Sequence, residues 1–295
     1  MSVLSRREAR AGYLFLTPAY VLYALFIALP LAAALALSVL DLDRLTLDMT
    51  YVGFRNYDWV LGDPRFWTTF RNTFLFISMS VIGNVGGGLL LAVFMDRKYP
   101  KFILYFLRLA YFLPVLTSLA FVSFIWKFLF ATDLGILNYY VQLLGFEKIG
   151  WLSNGDIAIY SIILVDVWKN IGFFIIIILA ALQGVPKSLI EAAKIDGVTE
   201  WTMWIRIKIP FISPVLLFLV TYATIGGLQV FDSIRILTNG GPGDATRSVV
   251  MYMFSEAFSA GEPGAGAVSA LVLLVVISLV VAAQFAIAYF ILPRR

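Results

Sequence analysis

The chain has 295 residues, of which 61% are hydrophobic and 14% charged, with a net charge of +4 and a mean hydropathy of +0.91. Soluble domains are about 45–50% apolar and about 25% charged, so the bilayer must be the solvent for most of this chain. With no cysteine and no histidine, disulfide frameworks, Cys/His zinc centres, histidine-dependent triads and thiol nucleophiles are excluded. No Gly-Lys dipeptide occurs, so there is no Walker A phosphate loop, and neither catalytic residues nor metal ligands are expected. The basic excess reads as cytoplasmic anchoring charge rather than a nucleic-acid footprint.

A membrane helix needs about 20 predominantly apolar residues. Charge-free stretches cover 11–40, 72–95, 109–126, 209–231 and 263–293, and 157–184 is interrupted only by Asp166 and Lys169. These predict six spans, at about 12–38, 70–95, 104–128, 157–183, 212–233 and 266–292, within a single all-α membrane domain covering 1–295. Apolarity on all faces excludes soluble amphipathic helices, and the alternation of a membrane β-barrel is absent. Arg6, Arg7 and Arg10 before the first apolar run resemble a signal peptide. That run is about twice the length of a usual h-region, and the reading is a retained span. Gly83, Gly86, Gly87 and Gly88 in the second span predict close helix packing, which small residues permit in membranes.

Orientation follows the positive charges. With the N-terminus inside, the inner segments hold Arg6, Arg7, Arg10, Arg97, Lys98, Lys101, Arg108, Lys187, Lys194, Arg206, Lys208, Arg294 and Arg295. The outer segments hold the smaller set Arg44, Arg55, Arg65, Arg71, Lys127, Lys148, Arg235 and Arg247. Both termini are therefore expected in the cytoplasm. The outer loops, near 39–69, 129–156 and 234–265, carry turn formers such as Gly62-Asp63-Pro64 and Asn239-Gly240-Gly241-Pro242-Gly243. No internal repeat is evident, which gives an inverted-repeat secondary transporter no support.

The segment 185–214 is the most polar cytoplasmic stretch. Pro186 suits a helix start, Ser188 and Glu191 have the spacing of a capping box, and Ala192 and Ala193 predict a smooth helix surface. Gly197 predicts a left-handed stop. Trp201, Trp204 and Ile205 then recur at helical spacing before Pro210 and Pro214 lead into the fifth span. On composition alone this hairpin could equally lie in the lipid interface, where tryptophan is common.

The spacing Glu191-Ala192-Ala193, Gly197 and Ile207-x-Ile209-Pro210 resembles the EAA motif of ABC-importer permeases, with isoleucine in place of the usual leucine before the proline. Tyr51-Val52-Gly53-Phe54-Arg55-Asn56-Tyr57, Asp63-Pro64-Arg65-Phe66-Trp67, Arg71-Asn72-Thr73 and Leu182-Gln183-Gly184-Val185-Pro186 are similar to the carbohydrate-uptake permeases. So are Val230-Phe231-Asp232, Leu237 to Pro242, Thr246 and Ala257-Phe258. The Gly-Gly-Pro outer loop points to the maltose/glycerol-3-phosphate type, and the stretch 10–18 resembles the subunit usually given first of its pair.

The resemblance implies a type I ABC-importer permease fold with six transmembrane helices. It implies a second related permease, two cytoplasmic ATPase subunits that bind ATP and Mg, and an extracytoplasmic solute-binding protein, in a bacterial or archaeal cytoplasmic membrane. This chain would itself bind no cofactor and no nucleic acid. Glu191, Ala192, Ala193, Asp196 and Gly197 would form the coupling helix that seats in an ATPase groove. Such a hairpin would act as a lever between inward- and outward-facing arrangements.

Candidate solute contacts are Asp166, Lys169, Asn170, Tyr222 and Gln229, with Phe173 and Gln183 nearby. Intramembrane charges are functional hypotheses by default. Asp166 and Lys169, three residues apart on one helix face, read alternatively as a structural pair at the subunit interface, and each amide or aromatic alternatively as packing. Two other functions stand against the importer reading. A lipid-modifying enzyme would need clustered carboxylates or histidines at the membrane face, and a stand-alone secondary transporter would need no coupling loop.

Overall fold

The structure is a computed structural model and describes residues 6–43, 46, 48–96 and 99–291. Arg44, Arg97, Lys98, Arg294 and Arg295 of the charge comparison lie outside the described residues, as do the side chains of Arg6 and Arg7. The chain divides into two compact units, one of Met1–Asp63 with Met253–Val272 and one of Pro64–Tyr252 with Leu273–Arg295.

In the first unit the opening span, Arg10–Leu37, is apolar and unburied along its length. It passes through a π-helical turn at Ala24–Ala28 into a two-stranded antiparallel hairpin, Leu40–Leu42 with Met49–Tyr51. Asn56 anchors this corner, its buried amide donating to the carbonyls of Ser38 (3.1 Å) and Leu40 (2.9 Å). The tight fit explains Gly264, where a Cβ would stand 2.4 Å from the Asn56 amide nitrogen. Arg55 pairs with Asp41 on the same corner.

The second unit is built on helices long and apolar enough to span a bilayer. The second span is Pro64–Met95, the fourth Gly155–Gln183 and the fifth Glu200–Leu228. The final helix, Pro263–Phe290, contributes its later part, where Gln284 donates to the Thr224 hydroxyl at 2.9 Å. The second span begins earlier than the apolar run, because Pro64 fits a first helical position. The fifth begins earlier still, at Glu200, because the second helix of the 185–208 hairpin continues into it through a π-helical stretch, Trp204–Lys208. Pro210 would clash with the carbonyl four residues back in a regular helix; the widened turn provides the room.

The expected third span, 104–128, is not one helix. Lys101–Leu116 and Leu119–Leu129 meet at 101°, with Thr117 and Ser118 extended between them (ψ 150° and 133°). The fifth span likewise stops at Leu228 rather than 233, and a short helix, Asp232–Leu237, follows a break at Gln229–Phe231. Hydrocarbon admits non-helical backbone only where protein or a cavity surrounds it, so both breaks mark an interior.

Two buried apolar clusters hold this unit. One gathers Phe76, Val122, Phe130, Ile162, Ile234 and Met251; the other gathers Val85, Met95, Ile175, Ile178, Ile212 and Leu219. Lipid is as apolar as these side chains, so close packing rather than water exclusion drives such contacts. The glycines of the second span serve that packing. A Cβ at Gly83 would lie 2.6 Å from Val167, at Gly87 3.2 Å from Ile171 and at Gly88 3.0 Å from Phe174, all on the fourth span. Gly86 faces open space.

Candidate functional site

Both candidate regions lie in the second unit. The first is a cavity of about 600 Å³ walled by the second, fourth and fifth spans and by both helix breaks. Asp166, Lys169, Asn170, Tyr222 and Gln229 all line it, together with Phe173. Gln183 sits exposed at the end of the fourth span and outside the cavity. Val115 and Leu119 flank the third-span break, and Gln229 to Ser233 supply the opposite rim.

Asp166 is not paired with Lys169. Its two carboxylate oxygens accept amide bonds, from Asn84 at 3.0 Å and from Asn170 at 2.9 Å. Lys169 is buried and makes no hydrogen bond or ion pair among the described residues. The i,i+3 spacing puts the two on one face. The amides outcompete the lysine because Asn84, across the helix interface, and Asn170, one turn on, reach the carboxylate directly. Asn84 was not legible as a cavity residue. It sits among packing glycines, and the π-helical stretch Ile82–Gly87 that carries it is a backbone feature without a sequence signature.

Aromatic rings complete the wall. Phe173 and Tyr222 have centroids 5.1 Å apart, and Phe218, outside the cavity lining, stacks on Tyr222 at 6.2 Å. The cavity thus combines a carboxylate, an ammonium, amides and ring faces, a set able to hold a hydroxylated solute.

Near the N-terminal end of the second span, the 71–73 and 238–249 motifs converge. The Asn72 amide donates to the carbonyls of Asp244 (2.8 Å) and Arg247 (3.2 Å). The Thr73 hydroxyl accepts from the Val249 N–H at 3.1 Å. The Thr238 and Thr246 hydroxyls meet at 2.7 Å across the Gly-Gly-Pro loop, whose Gly241–Pro242 peptide is cis.

The second region is the 185–208 hairpin. Its first helix is Lys187–Ile195, with Pro186 as the extended N-cap residue. Ser188 therefore falls inside the first turn, and no side chain caps that helix, so the expected Ser188–Glu191 capping box does not form. The working cap is Thr199, whose hydroxyl accepts from the Thr202 N–H at 3.3 Å and starts the next helix. Gly197 takes φ +71°. The Val198 N–H bonds to the Ala193 carbonyl at 3.0 Å and the Gly197 N–H to that of Lys194 at 3.1 Å, the paired bonds of a Schellman stop. Glu191, Ala192, Asp196 and Gly197 are exposed. Ala193 turns inward and is 6% exposed. The small surface expected of both alanines therefore belongs to Ala192 alone. Ile195 (87%) and Trp201 (74%) are exposed as well; Ile195, four residues after Glu191 on the same helix, could have been placed by periodicity.

Residues 84–295 match the model of the family described as binding-protein-dependent transport system inner membrane component. The chain is 33% identical over 261 residues to the sulfoquinovosyl glycerol transport system permease protein SmoG of Agrobacterium fabrum, covering 88% of this chain and 84% of that one. It is 32% identical over 280 residues to the trehalose/maltose transport system permease protein MalF of Thermococcus litoralis, covering 94% and 93%. In fold it is similar to a chain of a bacterial ABC transporter involved in the import of the acidic polysaccharide alginate, with a TM-score of 0.86 at 20% identity over 97% of this chain and 98% of the other. The chain is a multi-pass membrane protein and belongs to the binding-protein-dependent transport system inner membrane components, the permease subunits of ABC importers.

Proposed function

We propose that this chain forms half of the transmembrane pathway for a sugar or related polyhydroxy solute in a bacterial or archaeal cytoplasmic membrane. A second, related permease completes the pathway. Two cytoplasmic ATPase subunits bind ATP and Mg and drive it, and an extracytoplasmic binding protein delivers the solute. The relatives named for sulfoquinovosyl glycerol and for trehalose/maltose support the solute class. The observation that carries the reading is the pairing, within one unit, of an aromatic- and amide-lined cavity with an exposed helix-stop hairpin. Glu191, Ala192 and Asp196 present that hairpin to the ATPase; Ala193 and Gly197 set its shape. Asp166, Lys169, Asn170, Tyr222 and Gln229 face the solute.

The test is co-purification of the ATPase with this chain and its partner permease. Gly197→Asp should abolish it. A Cβ at Gly197 meets nothing within 4 Å in this chain, so the spans should fold. The strain of a left-handed residue is about 1 kcal/mol, and an unpaired charge pressed into an ATPase groove costs several more. Gly197→Asn, which tolerates positive φ without charge, should keep most of the ATPase. Full co-purification with aspartate would remove the hairpin from the interface.

The proposed orientation has its own check, made clean by the absence of native cysteine. Cysteine at Asn239 should react with an impermeant thiol reagent in intact cells, and cysteine at Thr199 should react only after the membrane is opened. Labelling at Thr199 from outside would reverse the orientation.

A further inference from the structure

The base of the hairpin carries a contact that neither the motif nor the cavity uses. Lys208 Nζ lies 2.6 Å from Asp96 Oδ2, joining residues 112 positions apart. The side chains are only 13% and 30% exposed, and the ammonium stands 4.0 Å from the centre of the Trp204 ring. Asp96 is the C-cap of the second span. A helix C-terminus is the negative end of its dipole, so a carboxylate is electrostatically misplaced there unless a cation faces it. Lys208 is that cation, and it closes the π-helical stretch through which the hairpin enters the fifth span.

From Asp96 the second span runs outward as a continuous helix. Gly83, Gly87 and Gly88 press it against the fourth span, and the Asn84 amide holds the Asp166 carboxylate in the cavity. A contiguous path therefore leads from Lys208, in the first turns of the fifth span, to the cavity wall without using the rest of that span.

We propose that the Lys208–Asp96 pair is a strut that fastens the second span to the coupling hairpin, so that hairpin displacement carries the Ser80–Asn84 wall of the cavity with it. Lys208 and Asp96 are then positioning residues for transport, not solute or ATPase contacts. The proposal rests on the reading that the hairpin docks on an ATPase. Coupling through such a path requires that the two ends move together, which separates a strut from a latch that opens during the cycle.

The experiment uses the complex purified with its partner permease and ATPase subunits, stimulated by its binding protein as purified from cells. Lys208→Met and Asp96→Asn should each lower stimulated ATP hydrolysis at least fivefold. Unstimulated hydrolysis and ATPase co-purification should stay within twofold. The charge exchange Asp96→Lys with Lys208→Asp should restore stimulation to within twofold of the original. Asp96→Cys with Lys208→Cys, bridged by a short bis-methanethiosulfonate, should be stimulated normally, and reduction of the bridge should return it to the Lys208→Met level. Normal stimulation in both single variants overturns the strut. So does loss of stimulation on bridging, which would mean that the ends part during the cycle. Stimulation that falls only in step with yield, and is not repaired by the exchange, assigns the pair to folding and also overturns it. An unsubstituted complex that retains no ATPase overturns the docking reading and the strut with it.

Discussion

Gly172→Val should leave almost no folded complex. Gly172 is buried in the middle of the fourth span, and a Cβ there would lie 1.9 Å from the Tyr111 carbonyl oxygen and 2.6 Å from its carbon. That neighbour is backbone, at the end of the first arm of the broken third span, and cannot rotate away. Overpacking against a side chain that can yield costs about 1–3 kcal/mol; against a fixed carbonyl, alanine already reaches the top of that range and valine exceeds it. Gly172→Ala should therefore lower thermal stability in detergent, and valine should remove the monodisperse peak on size-exclusion chromatography. Gly86→Ala supplies the control, because nothing lies within 4 Å of its added carbon and it should behave as the unsubstituted chain. A monodisperse valine variant of normal stability would mean that the first arm of the third span does not lay its backbone against Gly172.

The same contact explains why the break was not legible in the sequence. Residues 109–126 are free of charge, and a straight helix and a bent pair bury that composition equally well. Pro114, Thr117 and Ser118 permit a break without requiring one. The seat of the first arm lies at Gly172, about 60 residues further on, where only a glycine admits the Tyr111 carbonyl a few residues before the break. By contrast, the spans themselves were legible, because a bilayer demands about 20 apolar residues wherever a helix crosses it. Gly197 was legible for a local reason: a helix followed by glycine at that spacing can stop in the left-handed region, whatever surrounds it. The capping box was misread because Pro186, an extended residue, took the boundary and pushed Ser188 inside the helix.

The cavity was half legible. Asp166, Lys169, Asn170, Tyr222 and Gln229 stood out as polar or aromatic residues in apolar runs, and they converge on one space. Their pairing did not follow from their spacing. Asn84 reaches Asp166 across 82 residues, and only the packing of glycines against the fourth span brings it there. The inward turn of Ala193 has a similar cause. Two adjacent alanines look alike in a motif, but a helix resting on a surface must bury one of them and expose the other.

Substitutions at Asp166 separate the amide-held carboxylate from the ion pair that its spacing with Lys169 suggests. Were the two an ion pair, removing either charge would cost about 3–5 kcal/mol and replacing both by leucine would be near neutral. The geometry leads to a different order. Asp166→Leu strips the acceptor from both Asn84 and Asn170; Asn84 is buried, and its amide left unsatisfied costs roughly 1–3 kcal/mol, while the half-buried Asn170 can turn to the cavity. Assembly should fall severely. Lys169→Leu takes no partner from Asp166 and should assemble normally. The double leucine variant should be as poor as Asp166→Leu alone, because the second change gives the stranded Asn84 amide nothing. Asp166→Asn should be mild: its carbonyl still accepts from Asn84, and the Asn170 amide can turn to accept from the new NH₂ group. Yield of monodisperse complex, measured on these four proteins side by side, decides the matter. Rescue of Asp166→Leu by Lys169→Leu would restore the ion pair and demote Asn84 and Asn170 to packing. Failure of rescue, with Asp166→Asn near normal, would establish that the second span is fastened to the fourth through this carboxylate.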